Sequence, residues 1–263
     1  MNKIAKYLNY GNAYISSGDF RSLLDSARFL LLKKGALRTR VADSHLGKIK
    51  IRQGTNDFQF ANYYYEWNVK SYILSIYHDF NIFIDIGSGI GDYSLLMAKK
   101  GLLCFAFEPV ADNFKTLTEN VRLNRLERRI KPFQLALGNA QTTADFAVTQ
   151  VNTGASHRAD IHLSDKIPVK CNEKVKVEKL DNLFLDFGLT KQDRILMKLD
   201  MEGMEVEGIA GAMDFIRTYP NLTIIAEAKH SGDNEIINTL KSMAEFEFGR
   251  VDDLNIYAHK INK

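Results

Sequence analysis

Three places in this sequence combine residue types and spacing that can do chemistry, and each follows a short apolar run. The first is Phe83-Ile84-Asp85-Ile86-Gly87-Ser88-Gly89-Ile90-Gly91-Asp92. It leaves a strand-like run, turns through three glycines and enters a helix-like run, and glycine lets backbone approach a bound nucleoside closely. The second is Glu108, 23 residues after Asp85, near the roughly 20-residue offset of a ribose-binding acid. A carboxylate there accepts from both ribose hydroxyls, at about 1.5–3 kcal/mol per charge-assisted bond. The alternative is a structural glycine turn beside a solvated glutamate. The third place is Lys198-Leu199-Asp200-Met201-Glu202-Gly203, followed by Glu227 and His230.

The glycine spacing narrows the cofactor. It is G-x-G-x-G, whereas a dinucleotide loop reads G-x-G-x-x-G and keeps a helix N-terminus free for the pyrophosphate. S-adenosyl-L-methionine carries no phosphate and packs its amino-acid end on such a loop. The reading is therefore an S-adenosyl-L-methionine site built from Asp85, Gly87, Ser88, Gly89, Gly91, Glu108 and Asp200. A nicotinamide-dependent oxidoreductase and a non-catalytic nucleotide-cofactor-binding module are the alternatives on the same fold.

Transfer of a methyl group to a hydroxyl needs in-line alignment and a destination for the hydroxyl proton. A general base contributes about 10²–10⁴-fold. Asp200 and Glu202 fall at the carboxyl end of a strand, where open α/β sheets bind ligands, and one or the other is read as the ligand of the substrate hydroxyl and its base. Lys198 points to the same side as Asp200. Glu227 ends the next strand, and His230 is a competing base. A structural Lys198–Glu202 ion pair is the plain alternative. Asp200, Glu202 and Glu227 also offer oxygen ligands that Mg²⁺ accepts, but Mg²⁺ is not the favoured reading and no metal ligand is assigned.

These residues need a scaffold, and the pattern supplies one. Ile82–Ile86, Leu102–Phe107, Ile130–Leu137, Ile195–Leu199 and Leu222–Ala228 are mostly apolar, with helical stretches at Asp92–Lys99, Ala111–Asn124, Val206–Tyr219 and Glu235–Ala244. Alternation of this kind predicts a doubly wound, Rossmann-like parallel sheet covered on both faces. Phe246–Val251 and Leu254–His259 predict a closing antiparallel hairpin. Residues 78–263 form the cofactor domain, with Val151–Asn172 read as an irregular loop or lid. Its His157 and His162 read as solvent-exposed loop histidines. Residues 1–77 form an extension of a helix, a short hairpin around Asp43–Gly47 and an aromatic-rich helix. Leu23, Leu24, Ala27, Leu30 and Leu31 share one helical stripe, expected to pack on the main domain; a peripheral membrane contact through this helix is the second reading. Gly35 reads as its stop.

Bulk properties exclude several classes. The 263 residues are 45% hydrophobic and 25% charged, with a formal net charge of +3. This is globular composition, and neither the charge nor any basic stripe calls for a nucleic-acid partner. Two cysteines in no CxxC pair give neither a disulfide framework nor a zinc site. With no leader-like apolar core at the N-terminus, the expected location is cytoplasmic.

The chain is similar to the FkbM family of methyltransferases. The resemblance begins at Ile51-Arg52-Gln53-Gly54-Thr55-Asn56-Asp57 and includes Phe83–Leu95, Ala106-Phe107-Glu108-Pro109 with Asn113-Phe114, and Ala136-Leu137-Gly138-Asn139. It continues through Val177–Leu183, Lys198-Leu199-Asp200-Met201-Glu202-Gly203, Glu205, Gly211-Ala212 and Ile224-Ile225-Ala226-Glu227. The resemblance implies a class I methyltransferase fold and adds Pro109, Leu137 and Asn139 to the cofactor-binding set. It further implies O-methylation of a hydroxyl on a sugar, glycolipid or other complex small molecule. Ser88-Gly89 stands where the family commonly has Ala-Asn, and Asn139 where Asp is frequent.

Overall fold

The structure is a computed structural model, which describes residues 3–161 and 168–261; His162 lies outside them. Two helices open the chain, α1 (Lys3–Ser16) and α2 (Phe20–Leu32). Gly18, at φ +74°, breaks them apart, and the Asp19 carboxylate accepts from Ser22 N to cap α2. Lys33, in the left-handed region, ends α2 two residues before the expected stop at Gly35. The hairpin of β1 (Arg40–Ser44) and β2 (Gly47–Ile51) follows, then α3 (Asp57–Phe60) and α4 (Trp67–Ile76).

The leucine stripe of α2 does not face the core. Leu24, Leu30 and Leu31 are exposed, while Ser22 and Asp25 of the same helix are buried. The reason is Arg40, whose guanidinium lies 2.8 Å from Asp25 and also donates to Ser22 Oγ at 2.9 Å. Burying that polar cluster turns the apolar stripe outward.

From β3 (Ile82–Ile86) the alternation is regular: α5 (Asp92–Lys99), β4 (Leu103–Phe107), α6 (Ala111–Leu123) and β5 (Ile130–Phe133). Next come β6 (Ala136–Leu137), β7 (Thr142–Thr149), β8 (His157–Arg158) and β9 (Val169–Glu178). The chain closes through β10 (Ile195–Leu199), α7 (Glu205–Ala210), α8 (Met213–Thr218), β11 (Leu222–Glu227), α9 (Asp233–Lys241), β12 (Phe246–Arg250) and β13 (Asn255–Lys260). The main sheet has the order β12-β13-β11-β10-β3-β4-β5. Its five strands from β11 to β5 are parallel, and β13 runs antiparallel to both β11 and β12. The doubly wound sheet and its terminal hairpin are thus as expected.

Three expected elements differ. The run Ile130–Leu137 splits, because β5, carrying Pro132, is the edge strand of the main sheet while β6 joins a second sheet ordered β6-β9-β7-β8. The stretch read as irregular contributes β8 and the start of β9, Val169–Asn172, to that second sheet. Val169–Asn172 is exposed, so no inward face marks it as a strand. The helix expected over 206–219 breaks at Gly211, where a Cβ would stand 1.9 Å from the carbonyl oxygen of Gly138.

One face of the main sheet packs on the N-terminal segments: Ile49, Ile51, Phe58 and Ile73 join Phe83, Leu95, Leu117 and Val121 in one apolar cluster. The other face packs Ile84, Phe105 and Met197 against Phe184, Phe187 and Phe215. Among the described residues no helix is long and apolar enough to cross a membrane.

Candidate active site

Strands β3, β4 and β10 lie side by side, and their carboxyl ends open one crevice at the point where strand order reverses. Chain leaving β3 is held by two bonds, as Gly87 N and Ser88 N both donate to the Phe107 carbonyl. On its other side Asp200 N donates to Ile86 O. The approach is so close that a Cβ on Gly87, at φ +80°, would lie 1.7 Å from the Asp200 carbonyl oxygen. Only glycine fits there.

The crevice is lined by Gly87, Gly89, Glu108, Pro109, Leu137 and Asp200 of the expected set, together with Glu202. Phe107, Leu135, Phe146, Met201 and Met204 make an apolar wall, and Asn113, Thr153 and Ser156 add polar groups. Four expected residues stand elsewhere. Asp85 is buried in β3, accepts from Ser94 Oγ at 2.5 Å and does not line the crevice; burial pushes its carboxyl up to about 6. Ser88 and Gly91 lie in the turn without lining the crevice, and Asn139 is exposed.

Glu108 is buried, with Oε2 accepting from Gly89 N at 2.8 Å and Oε1 from Val110 N at 2.9 Å. Burial pushes its carboxyl up to about 7, against the pull of those backbone donors. Oε2 retains a lone pair for a further donor. Behind it, Asn113 Nδ2 lies 3.4 Å from Glu108 Oε1 and donates to Thr153 O at 3.0 Å. Arg52 donates to Asn113 Oδ1 and, through two nitrogens, to Asp57. Asn56 and Asp57 accept from Thr153, so the segment after β2 holds the wall of the crevice.

A second, more open cleft adjoins the first. Phe60, Tyr64, Tyr65 and Trp67 line it, with Glu66, Asp200, Glu202, Glu227 and, as the single lining cation among the described residues, Lys229. Asp200, Glu202 and Gly154 line both spaces, so they stand at the junction. Sequence reasoning missed Glu66 altogether. It lies in a stretch whose aromatic residues read as packing, and only the fold brings it to β10.

Under the junction lies a network of paired charges. Lys198, buried, donates to Asp200 Oδ2 at 2.7 Å. The expected alternative, a Lys198–Glu202 pair, is not formed. Burial works to lower the Lys198 pKa, but Asp200, Glu66 and Asp85 outweigh it and hold the ammonium above the ordinary lysine value. Lys70 donates to Asp92 at 2.9 Å. The Tyr93 ring sits between these cations, 4.6 Å from Lys198 Nζ and 4.7 Å from Lys70 Nζ, while its hydroxyl donates to Glu66 at 2.9 Å.

Glu202 is arranged differently. Its φ is +50°, and the Glu205 carboxylate holds this turn by accepting from Met201 N and Gly203 N. Burial, reinforced by Asp200 and Glu227, pushes the Glu202 carboxyl up to about 8. Burial and Asp200 do the same to Glu227, also to about 8. Burial lowers the His230 pKa, with Lys229 adding to the effect. Glu202, Glu227 and His230 offer ligand atoms within 4.8 Å of one another. That trio differs from the all-oxygen set read from sequence: Asp200 is engaged by Lys198, and an imidazole takes its place. His157 is buried, with Nδ1 2.9 Å from the Ala155 carbonyl, not solvent-exposed as expected.

Residues 85–253 match the family model of the methyltransferase FkbM domain. The hexuronic acid methyltransferase AglP of Haloferax volcanii is 22% identical over 193 residues, covering 72% of this chain and 75% of that protein. The tRNA (guanine(37)-N(1))-methyltransferase of Batrachochytrium dendrobatidis is 32% identical over 92 residues, which cover 33% of this chain and 19% of that enzyme. Among solved structures, magnesium protoporphyrin IX methyltransferase from Synechocystis PCC 6803 superposes with a TM-score of 0.44 at 11% identity, covering 74% of this chain and 79% of that one. The family match spans well over half of the sequence and takes in the cofactor loop, Glu108 and the Lys198–Gly203 segment, and the chain belongs to the FkbM family of methyltransferases.

Proposed function

We propose that this protein transfers the methyl group of S-adenosyl-L-methionine to a hydroxyl oxygen of a sugar-containing acceptor. The observation that carries the reading is the junction: Asp200 and Glu202 line both the glycine-loop crevice and the aromatic, carboxylate-rich cleft. Adenosine occupies the apolar crevice with its ribose on Glu108, and the methionine end lies along Gly87 and Gly89. The sulfonium methyl then faces the neighbouring cleft. Positioning of this kind lowers a displacement barrier by roughly 7–11 kcal/mol.

In the cleft, Tyr64, Tyr65 and Trp67 offer rings for the apolar face of a sugar, and carboxylates accept from its hydroxyls. Glu202 takes the acceptor proton as the oxygen attacks the methyl carbon, and His230 stands behind it. S-adenosylhomocysteine leaves as the neutral thioether. Asp200, held by Lys198, orients the acceptor, and Glu227, beside Glu202, binds a further acceptor hydroxyl. The carboxylate-rich lining disfavours a nucleic-acid acceptor, whose phosphates would meet like charge. A sugar acid is accommodated by Lys229.

Calorimetric titration with S-adenosylhomocysteine and with NAD tests the cofactor. Mass spectrometry of glycans and lipids from cells with and without the protein tests the acceptor, sought as a species heavier by one methylene. Tighter binding of NAD would overturn the cofactor reading. A methylated base in place of a methylated sugar would overturn the acceptor.

A further inference from the structure

Helix α2 is amphipathic in the reverse sense for a helix that must pack on a domain. Phe20, Leu24, Ala27 and Leu31 follow one another at helical spacing, and all are exposed, Leu24 at 66% and Leu31 at 82%. Leu30 and Leu32 flank the stripe and are exposed as well. On α1, Leu8 and Ile15 are exposed and share a stripe with Gly11, whose added Cβ would lie 4.0 Å from Leu23 Cδ1 of α2. The apolar faces of the two helices therefore adjoin. A contiguous apolar surface of this kind marks an interaction site.

Charge selects what covers it. The first forty residues hold eight lysines and arginines against two aspartates, and the chain as a whole carries only +3, so the remainder is net negative. Both aspartates are turned inward on Arg40, at 3.9 Å from Asp19 and 2.8 Å from Asp25. Arg21, Lys33, Lys34 and Arg38 are exposed around the apolar stripe. A second copy of this chain would bring like charges together. A surface of anionic headgroups over hydrocarbon matches both the leucines and the cations.

We propose that α1 and α2 dock this protein on an anionic lipid bilayer, with Phe20, Leu24 and Leu31 entering the headgroup–acyl boundary and Arg21, Lys33 and Lys34 meeting the headgroups. The inference does not rest on the methyl-transfer reading. It has a consequence for it, since α1 is tied to the segment that walls the acceptor cleft: Tyr14 Oη donates to Phe58 O at 2.7 Å, and Asn62 Nδ2 donates to Tyr10 O at 3.1 Å. Docking through α1 and α2 holds that cleft at the bilayer, where a lipid-borne acceptor resides.

The test is co-sedimentation of the full chain with phosphatidylcholine vesicles and with vesicles containing about 30% phosphatidylglycerol, alongside the variants Leu24→Ser/Leu31→Ser and Lys33→Glu/Lys34→Glu. The expected result is binding to the anionic vesicles, weakened about tenfold or more in each variant and by added salt. All four side chains are exposed, so both variants keep the wild-type circular dichroism and melting temperature; the charge variant supplies the answer even if the serine variant fails to fold. Equal binding to both vesicle types, no binding, or variants that bind like wild type would overturn the proposal. So would a concentration-dependent dimer in sedimentation velocity that Leu24→Ser/Leu31→Ser abolishes, which would assign the face to a second copy.

Discussion

His230 Nε2 faces Glu202 Oε2 at 3.4 Å, and both atoms are buried without a hydrogen-bond partner among the described residues. Burial raises the carboxyl to about 8 and lowers the imidazole below its ordinary value, so a proton held by the pair rests on Glu202. The turn that presents Glu202 is fixed by Glu205, so the pair is set by backbone as much as by side-chain chemistry.

Glu202→Gln removes the proton acceptor while keeping shape. Turnover is expected to fall by about 10²–10⁴-fold, with the affinity for S-adenosylhomocysteine unchanged within about twofold, since most of the crevice is untouched. Retained turnover would move the base to His230 or Asp200.

The pH dependence has a definite sign. Glu202 accepts a proton only as carboxylate, and its pKa is raised to about 8. Methyl transfer should therefore rise with pH through about 8 and level off above it. Glu227 adds to the elevation by like-charge repulsion. Glu227→Gln should shift the rising limb to lower pH, measured as kcat against pH. A shift in the opposite direction would contradict the assignment.

Glu108→Gln keeps the volume but replaces one acceptor oxygen with a donor facing the ribose site. Affinity for S-adenosylhomocysteine should weaken by about tenfold or more, the worth of one charge-assisted bond, as read by calorimetry. Unchanged affinity would remove the ribose role.

Gly87→Ala tests the contact between the loop and β10. The new Cβ would meet the Asp200 carbonyl in a left-handed backbone conformation. Unfolding in urea should show a loss of about 1–3 kcal/mol or more, the range of overpacked and of strained sites, together with loss of cofactor binding.

Turnover is expected to survive EDTA, because the acid set with oxygen ligands is broken up by the Lys198–Asp200 pair. Loss of activity restored by a divalent ion would point to Glu202, Glu227 and His230 as its ligands.

The sequence by itself determined what depends on local pattern. Ile82–Ile86, Asp92–Lys99 and Ile195–Leu199 are read to the residue, because a buried parallel strand is mostly apolar and a glycine turn or polar break punctuates its end. Glu108 and Asp200 were legible for the same reason, each being the first acid after such a strand, and Glu202 follows Asp200 by two residues. What only the tertiary structure decided depends on partners distant in sequence. Lys198 pairs with Asp200 and not Glu202 because the turn at Glu202 has positive φ and swings that side chain toward His230. Glu66 and the tyrosines around it reach the site only through the packing of the N-terminal segments on the sheet. The leucines of α2 face outward because Arg40, from the following hairpin, draws Asp25 and Ser22 inward. Helical periodicity reveals that a stripe exists, but the charge buried on the opposite side settles which stripe the domain covers.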